Sequence, residues 1–526
     1  MMATLLFLSP ICSFAQKPAA YDFGVVQSAS PWLTCQNRAG LYNLPVLKVV
    51  NAQIDAQKTY GGYKDISESP DALEGCVNTQ AYTKVSEKVS FYGDMSYSYF
   101  HGKNMGGPVL MNPDGNAINF YEYPNENIGT KTKELYTLDG GMSYRLNDAI
   151  SLGVSGHYQS GNYSKRKDPR NLNRWMDLGL SAGIMNRFSD VIAIGADIRY
   201  RRTVESISSR IYGITGQNYF YFVDYGASLG KVEVLGSDNY FISSSTERPV
   251  LNNYFGGAIQ IELGDPEEGH SFFNEFAYTR RAGSYGDKAS SEILFSHNHG
   301  NELAYKGVVT VRETAEHHIN IGMEYTTTEN YLNSFSVLSN PGENLEVEYY
   351  GDAQTQARAI MAGSLGYEAL IGGSRFRPSW RVAADLSLTR DDVEAYYYPY
   401  TRHQRADEAI LGLRASHAIV GRKNIFEIGA NATLKAGRGD KASDNVLVDV
   451  YGPAPRTAQE YLDASWEFRT AAAAAAGLSF TYTRAIRNGL SVFIGVKEKF
   501  GSLLKKPEYL DGRFRNTATI SVGCNF

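Results

Sequence analysis

The stretch "NTATISVGCNF", residues 516–526, decides how the rest is read. Ala518, Ile520, Val522, Cys524 and Phe526 alternate strictly with Thr517, Thr519, Ser521, Gly523 and Asn525. A period of two sends alternate side chains to opposite faces of a strand, so one face is built for an apolar medium and the other for a polar one. A single strand of this kind fits many sheets. A chain made of them fits few.

The alternation repeats along the whole sequence. "VVNAQIDAQK" (49–58) sets Val50, Ala52, Ile54 and Ala56 against Asn51, Gln53, Asp55 and Gln57. "VSFYGDMSYSYF" (89–100), "LYTLDGGMSYRL", "AISLGVSGHYQS", "VIAIGADIRYRR" and their successors through "LSVFIGVKEKF" follow the same rule. With a weaker segment at 76–87, about 18 strands result, each of roughly 10 to 15 residues, enough for a tilted strand to cross a bilayer. The run of alanines at 471–476 has the best helix propensity of any residue. It is kept in a strand because Leu478, Phe480 and Tyr482 continue the alternation, with about 16 or 14 strands as alternatives.

Short connections, such as Glu87-Lys88, Asn147-Asp148 and Gly421 to Asn424, alternate with long ones at 102–132, 204–252, 282–300, 329–352, 391–403 and 437–467. Short turns at one end and long loops at the other build an outer-membrane barrel, and an even strand number puts both termini at the short-turn end. The expected fold is therefore all-β: a closed antiparallel transmembrane β-barrel over 46–526. Composition agrees. There are 37 Tyr, 24 Phe and 51 Gly against 17 Pro and 4 Cys. The longest internal candidate for a spanning helix, Thr470 to Thr483, is too short, so a membrane location requires a barrel. With 51 basic and 56 acidic residues, the chain lacks the basic excess of a nucleic-acid binder.

The first residues, "MMATLLFLSPICSFAQK", carry an apolar core from Leu5 to Ile11 and small residues at Ser13-Phe14-Ala15, which predicts a signal peptide over 1–15. No Lys or Arg precedes the core. Residues 16–45 include "SASPWLTCQNRAGL", with Ser30 as N-cap, Pro31 at the first helical position and Gly40 as a stop. That predicts one or two helical turns, either in a flexible periplasmic leader or in a small plug in the barrel mouth anchored by Trp32. Cys35 with Cys76 is the one disulfide worth testing, and Cys524 acts as a small hydrophobe.

The predicted inward face carries Asp94, Asp139, Arg145, Asp197, Arg199, Arg201, Glu262, Arg358, Arg381, Asp385, Glu427 and Lys435, with Lys497 and Arg515 beyond them. Facing lipid, such charges would each cost a few kcal/mol. Facing the lumen, they form either a wet pore lining or a lattice of ion pairs. Loop aromatics at Tyr219, Tyr221, Tyr225, Tyr396, Tyr397 and Tyr398 are read as exposed platforms for a sugar or protein partner, or as rings packed loop on loop or in the interfacial girdle. His297 and His299 share one side of an extended segment, but spacing supplies no third ligand, so no metal site or cofactor is predicted. No nucleophile elbow or phosphate loop occurs, and the expectation is not an enzyme.

The leader, the one-sided alternation, the sorted loops and the terminal "SVGCNF" together resemble bacterial outer-membrane β-barrel proteins. Phe526 resembles the C-terminal signal read by the barrel-assembly machinery. The size, the Tyr and Gly richness and the "SFAQ" junction are similar to barrels of Bacteroidota. The resemblance implies the cell outer membrane of a Gram-negative bacterium, with outer-membrane lipid and the assembly machinery as partners. It implies transport, as a passive porin-like channel or an accessory barrel in nutrient uptake. The alternative is a cell-surface binding or scaffold barrel with a closed lumen, holding a surface lipoprotein or a TonB-dependent receptor. A barrel hydrolase comes third.

Overall fold

In the computed structural model the first long strand, Lys48–Gly61, pairs both with the second, Asp71–Lys84, and with the last, Phe514–Asn525. That double pairing closes an antiparallel sheet of 18 strands into a barrel with no free edge. At the seam Asn51 faces Asn525, and Phe526 exchanges backbone hydrogen bonds with Val50 at 2.7 and 3.0 Å. The structure describes residues 21–526 apart from 214–216, 237–239, 245, 266–268, 288–292, 339–345, 445–454 and 488. The leader expected at 1–15 and the start of the 16–45 segment lie outside the described residues.

Alternation sets what each face meets. Ile54, Ile494, Ile520 and Val522 point outward and are exposed, while Gln53, Asp55, Gln57 and Thr519 line the inside. Aromatic pairs ring the exterior near its rims, among them Tyr97–Tyr136 at 4.7 Å between ring centres and Trp380–His417 at 4.2 Å. An even-stranded antiparallel barrel with an apolar outer band, aromatic girdles and unequal ends is the outer-membrane architecture. The protein belongs in the outer membrane.

Several segments expected as long loops are instead strand. Trp380–Tyr397 and Tyr400–Val420 are separated only by Tyr398-Pro399, and Ala315–Leu338 and Glu346–Ile371 carry most of 329–352 as a paired hairpin. Beyond the bilayer both faces of a hairpin are wet, so the one-sided apolar signal fades although the backbone pairing goes on. The genuine insertions, after Val89–Met105, Ile192–Arg210 and Asn424–Asp444, build a second sheet from Asn119–Tyr123, Phe220–Asp224, Leu229–Val234 and Arg456–Thr457. A helix, Gln459–Thr470, follows it where a loop was expected. The alanines then enter a strand from Ala473, because pairing on both sides, to Lys435 and Leu503, overrides their helix propensity.

Between residue 21 and the first barrel strand the chain forms two short helices, Phe23–Ser28 and Pro31–Thr34, and a 3-10 turn, Arg38–Asn43. Asp22 caps the first, accepting the Val25 amide at 3.1 Å. Ser30 precedes Pro31 as expected but makes no side-chain cap. The helix stops at Thr34 rather than near Gly40, because the chain must bend there to follow the barrel wall.

Candidate functional site

The lumen is where the sequence's charges, amides and hydroxyls converge. Residues 21–45 occupy its short-turn end, running from the Phe376 turn, where the Asp22 amide donates to the Phe376 carbonyl at 2.8 Å, past Tyr82 and Tyr92 to Phe273 and Lys306. Trp32 is fully buried, edge-on to Phe273 at 5.2 Å, and its indole nitrogen donates to Glu262 Oε2 at 2.7 Å. Asn37 donates to the carbonyls of Ile184 and Ala196 at 3.0 and 3.3 Å and to Gln260 at 2.9 Å. Such approach needs wall residues without side chains. A Cβ at Gly153 would stand 2.0 Å from the Ala39 nitrogen, and one at Gly183 would stand 2.3 Å from Asn37 Oδ1. The Cys35 thiol donates to the Trp32 and Asn37 carbonyls at 3.3 and 3.6 Å. Cys35 and Cys76 are both free, so the pairing proposed for them is not formed. Cys35 is committed to the buried segment and Cys76 to the open wall.

The extracellular end is filled by the insertions. Phe120 packs on Tyr285 of the wall at 4.9 Å, within a buried apolar cluster that includes Tyr219, Tyr221, Tyr225 and Phe295. Those three tyrosines are therefore closed off and offer no exposed platform, since their rings pack loop on loop and, for Tyr225, on Tyr397 at 5.7 Å. Tyr398 is exposed and stacks with Tyr396 at 5.9 Å. Wall side chains reach in to satisfy the insertion backbone: Lys131 to Pro108 O at 2.7 Å, Asn173 to Val109 O at 2.9 Å, Arg358 to Asp114 O at 3.2 Å and Arg402 to Ala227 O at 3.2 Å. Within the insertions, burial pushes Asp224 up to about 6. Burial likewise raises Glu122, which pairs with Lys165.

Around the seam the two fillings meet the wall at its ends, through residues 21–24 below and 110–114 above. Three cavities follow one another there. The lowest, about 570 Å³, is lined by Tyr21, Asp22, Asn51, Arg377, Glu427 and Asn525 and shares Gln53, Asp55, Cys76 and Lys497 with the next, about 470 Å³. That one shares Gln57 and Glu74 with the uppermost, about 360 Å³, which reaches Glu68, Lys133, Arg515 and Asp114 of the first insertion. Along the three cavities amide and hydroxyl groups, among them Gln53, Gln57, Thr519 and Ser521, share the lining with charges of both signs. A fourth, separate cavity of about 440 Å³ lies over the N-terminal segment, between Arg38, Asp139, His157, Asp177 and Arg201.

The inward charges divide by wall. On the filled side they are paired. Asp139 meets His157 at 2.7 Å, Asp197 meets Arg199 at 2.6 Å, Arg201 meets Asp177 at 2.7 Å, and Arg358 meets Asp391 at 2.9 Å. Lys435 meets Glu408 at 2.6 Å, Asp385 meets Arg414 at 2.6 Å, and Arg381 meets Glu368. Arg145 sits at the rim with Asp148, over the Tyr42 ring. Asp94 accepts from Asn78 and Gln80 at 3.2 and 2.6 Å. Glu427 and Lys497 face the cavities instead, and Arg515 reaches Glu68 at 3.3 Å. His297 and His299 point outward and stack on Tyr331, facing Asp352 and Glu329. Sequence reasoning missed the glycine seat and the neutral lining, since neither glycine nor glutamine announces a role.

No curated protein matches the sequence. Among solved structures, the chain is similar to a mutant of the ferric enterobactin receptor PfeA from Pseudomonas aeruginosa, at 10% identity and a TM-score of 0.40 over 90% of this chain and 80% of that one. It is similar to the ferric-catecholate import receptor Fiu from E. coli K12, at 10% identity and a TM-score of 0.39 over 90% and 81%. A third likeness is to the copper transporter OprC, at 9% identity and a TM-score of 0.37 over 90% and 80%. Likenesses of that degree add nothing to the architecture that the strand pairing already establishes. A family model matches residues 39–526, and the chain belongs to that family, the family of unknown function DUF6850.

Proposed function

We propose that the protein is a narrow passive channel for small polar solutes across the outer membrane. In this reading residues 21–45 act as a fixed plug anchored by Trp32, and transport uses the passage along the seam wall. The observation that carries it is the succession of three polar cavities with shared linings, from Asn525 at the short-turn end to Asp114 under the insertions. Amide and hydroxyl groups exchange hydrogen bonds with a neutral polar solute without holding it, and the acids Asp22, Asp55, Glu68, Glu74, Asp114 and Glu427 against the bases Lys133, Arg377, Lys497 and Arg515 give a mild preference for cations. Proteoliposomes test this. Neutral monosaccharides should enter faster than trisaccharides, and deletion of residues 21–45 should speed both. Entry no faster than into empty liposomes would overturn the reading.

One observation favours a second reading, a barrel that holds a partner. The hairpin of Ala315–Leu338 and Glu346–Ile371 outruns its neighbours, which pair with it only up to Leu332 on one side and Gln356 on the other. Beyond those points the edges of the hairpin offer backbone groups to another chain, such as a surface lipoprotein or receptor. Co-purification of a partner that is lost when residues 333–353 are shortened, together with silent proteoliposomes, would favour it.

A further inference from the structure

The outside of the barrel carries a feature that passage through the lumen does not use. Across seven strands, from His270–Gly286 to Asn424–Asp444, two neighbouring registers of outward residues form a groove of about 940 Å³. In the lower register Gly363, Ala409 and Ala436 leave a shallow floor, and Tyr305, Met323 and Leu388 stand around it. A cavity of that size is at the upper end of the usual ligand range of roughly 300–1,000 Å³. Its lower part lies within the apolar band.

The upper register changes character. Met361 faces Arg390, Arg390 faces Asp407, and Asp407 faces Arg438. Arg390 Nε lies 2.7 Å from Asp407 Oδ1 and Arg405 Nη2 lies 2.8 Å from its Oδ2, while Arg438 stays 3.8 Å away with 84% of its side chain exposed. Three guanidiniums therefore share one carboxylate where hydrocarbon gives way to head groups, on the side of the Tyr398-Pro399 turn, which is the extracellular side. One register further from the apolar band Arg405 itself faces both Asp392 and Asp440, and Asp392 pairs with His403 at 2.9 Å, so the unbalanced pair is Arg390 and Arg438 over Asp407. In the register that borders the apolar band two guanidiniums stand against one carboxylate, which an anion from the lipid itself can balance. Guanidinium and phosphate match in charge and in paired hydrogen bonds.

We propose that this groove binds a phosphorylated lipid of the outer leaflet, its acyl chains over Gly363, Ala409 and Ala436 and its phosphate on Arg390 and Arg438. The bound lipid would fix this wall in the membrane and is independent of any traffic through the lumen. Native mass spectrometry of the detergent-solubilised protein, with bisphosphorylated lipid A and its dephosphorylated form as probes, tests it without requiring a variant. The phosphorylated probe should bind roughly tenfold or more tightly, and the double substitution Arg390→Gln with Arg438→Gln should abolish that preference. Heat-modifiable electrophoretic mobility checks that the variant barrel is folded. Equal binding of both probes, binding of neither, or a preference that survives in the folded variant would overturn the proposal. So would an Ala436→Cys variant that crosslinks to a second copy in native membranes.

Discussion

Ser155 and Ser521 both point into the lumen from strands of the same alternating kind, yet their surroundings differ. Ser155 lies 2.7 Å from Ser181 in the separate cavity over the N-terminal segment. Ser521 donates to Asp55 at 2.5 Å in the run of cavities along the seam. What separates the two walls is what the wall permits to dock. Gly153 and Gly183 let residues 37–39 lie against the first. The second keeps Gln53, Gln57 and Lys497, whose side chains hold any backbone at a distance and keep water near. A barrel can therefore seat a segment on one stretch of wall and keep a run of polar cavities along another without any change of strand pattern.

The largest effect should come from breaking the filled side. Trp32→Ala removes a fully buried ring and strands Glu262, at a cost of about 3–5 kcal/mol. Residues 21–45 should then become cleavable by added protease while the barrel stays intact. Gly153→Val should give the same cleavage by a different route, and protection of both variants would mean that the segment is held by something else.

Next comes the extracellular filling, where Asp224 titrates. Its pKa is raised by burial to about 6, so the folded state binds the proton more tightly than the unfolded chain. Stability is fullest below the ordinary carboxylate range and declines as pH rises from about 4 to about 6, by up to about 3 kcal/mol. Asp224→Asn should flatten that decline in thermal melts. An unchanged pH profile would show that Asp224 is solvated.

A smaller effect is expected on the open side. Lys497→Glu leaves Asp55 and Glu74 without a nearby cation and should move the reversal potential in a salt gradient toward stronger cation preference. No movement would place the ion path elsewhere. The smallest belongs to the exterior, where Lys58 pairs with Asp71 in exposed surroundings. Lys58→Ala should cost less than about 1 kcal/mol by denaturant melts, and more would indicate that the pair is shielded by lipid.

The barrel could be seen in the residues because hydrocarbon acts on every outward side chain in the same way. Ile54 and Gln53, or Val522 and Ser521, state their faces individually. The inner fillings carry no comparable signal. Gly153 and Gly183 look like weak points of a strand until the segment that rests on them is in view. Tyr219, Tyr221 and Tyr225 read equally well as exposed platforms and as packed rings, because only the tertiary position of the insertion decides. The helix Gln459–Thr470 has a weakly amphipathic sequence and stands against the barrel mouth rather than a broad apolar core, so its period is faint. Charges were easier to place than to interpret. Asp139 and Arg201 face the lumen, but their pairing with His157 and Asp177 depends on neighbours a strand away.

Single-channel recording in planar bilayers, comparing Ser521→Trp with Ser155→Trp, tests the asymmetry of the lumen most directly. A steady wild-type conductance that falls to less than about half in Ser521→Trp, where the passage is narrow, and is unchanged in Ser155→Trp is the predicted result. A silent wild type, or a conductance that Ser155→Trp reduces and Ser521→Trp does not, would contradict the account.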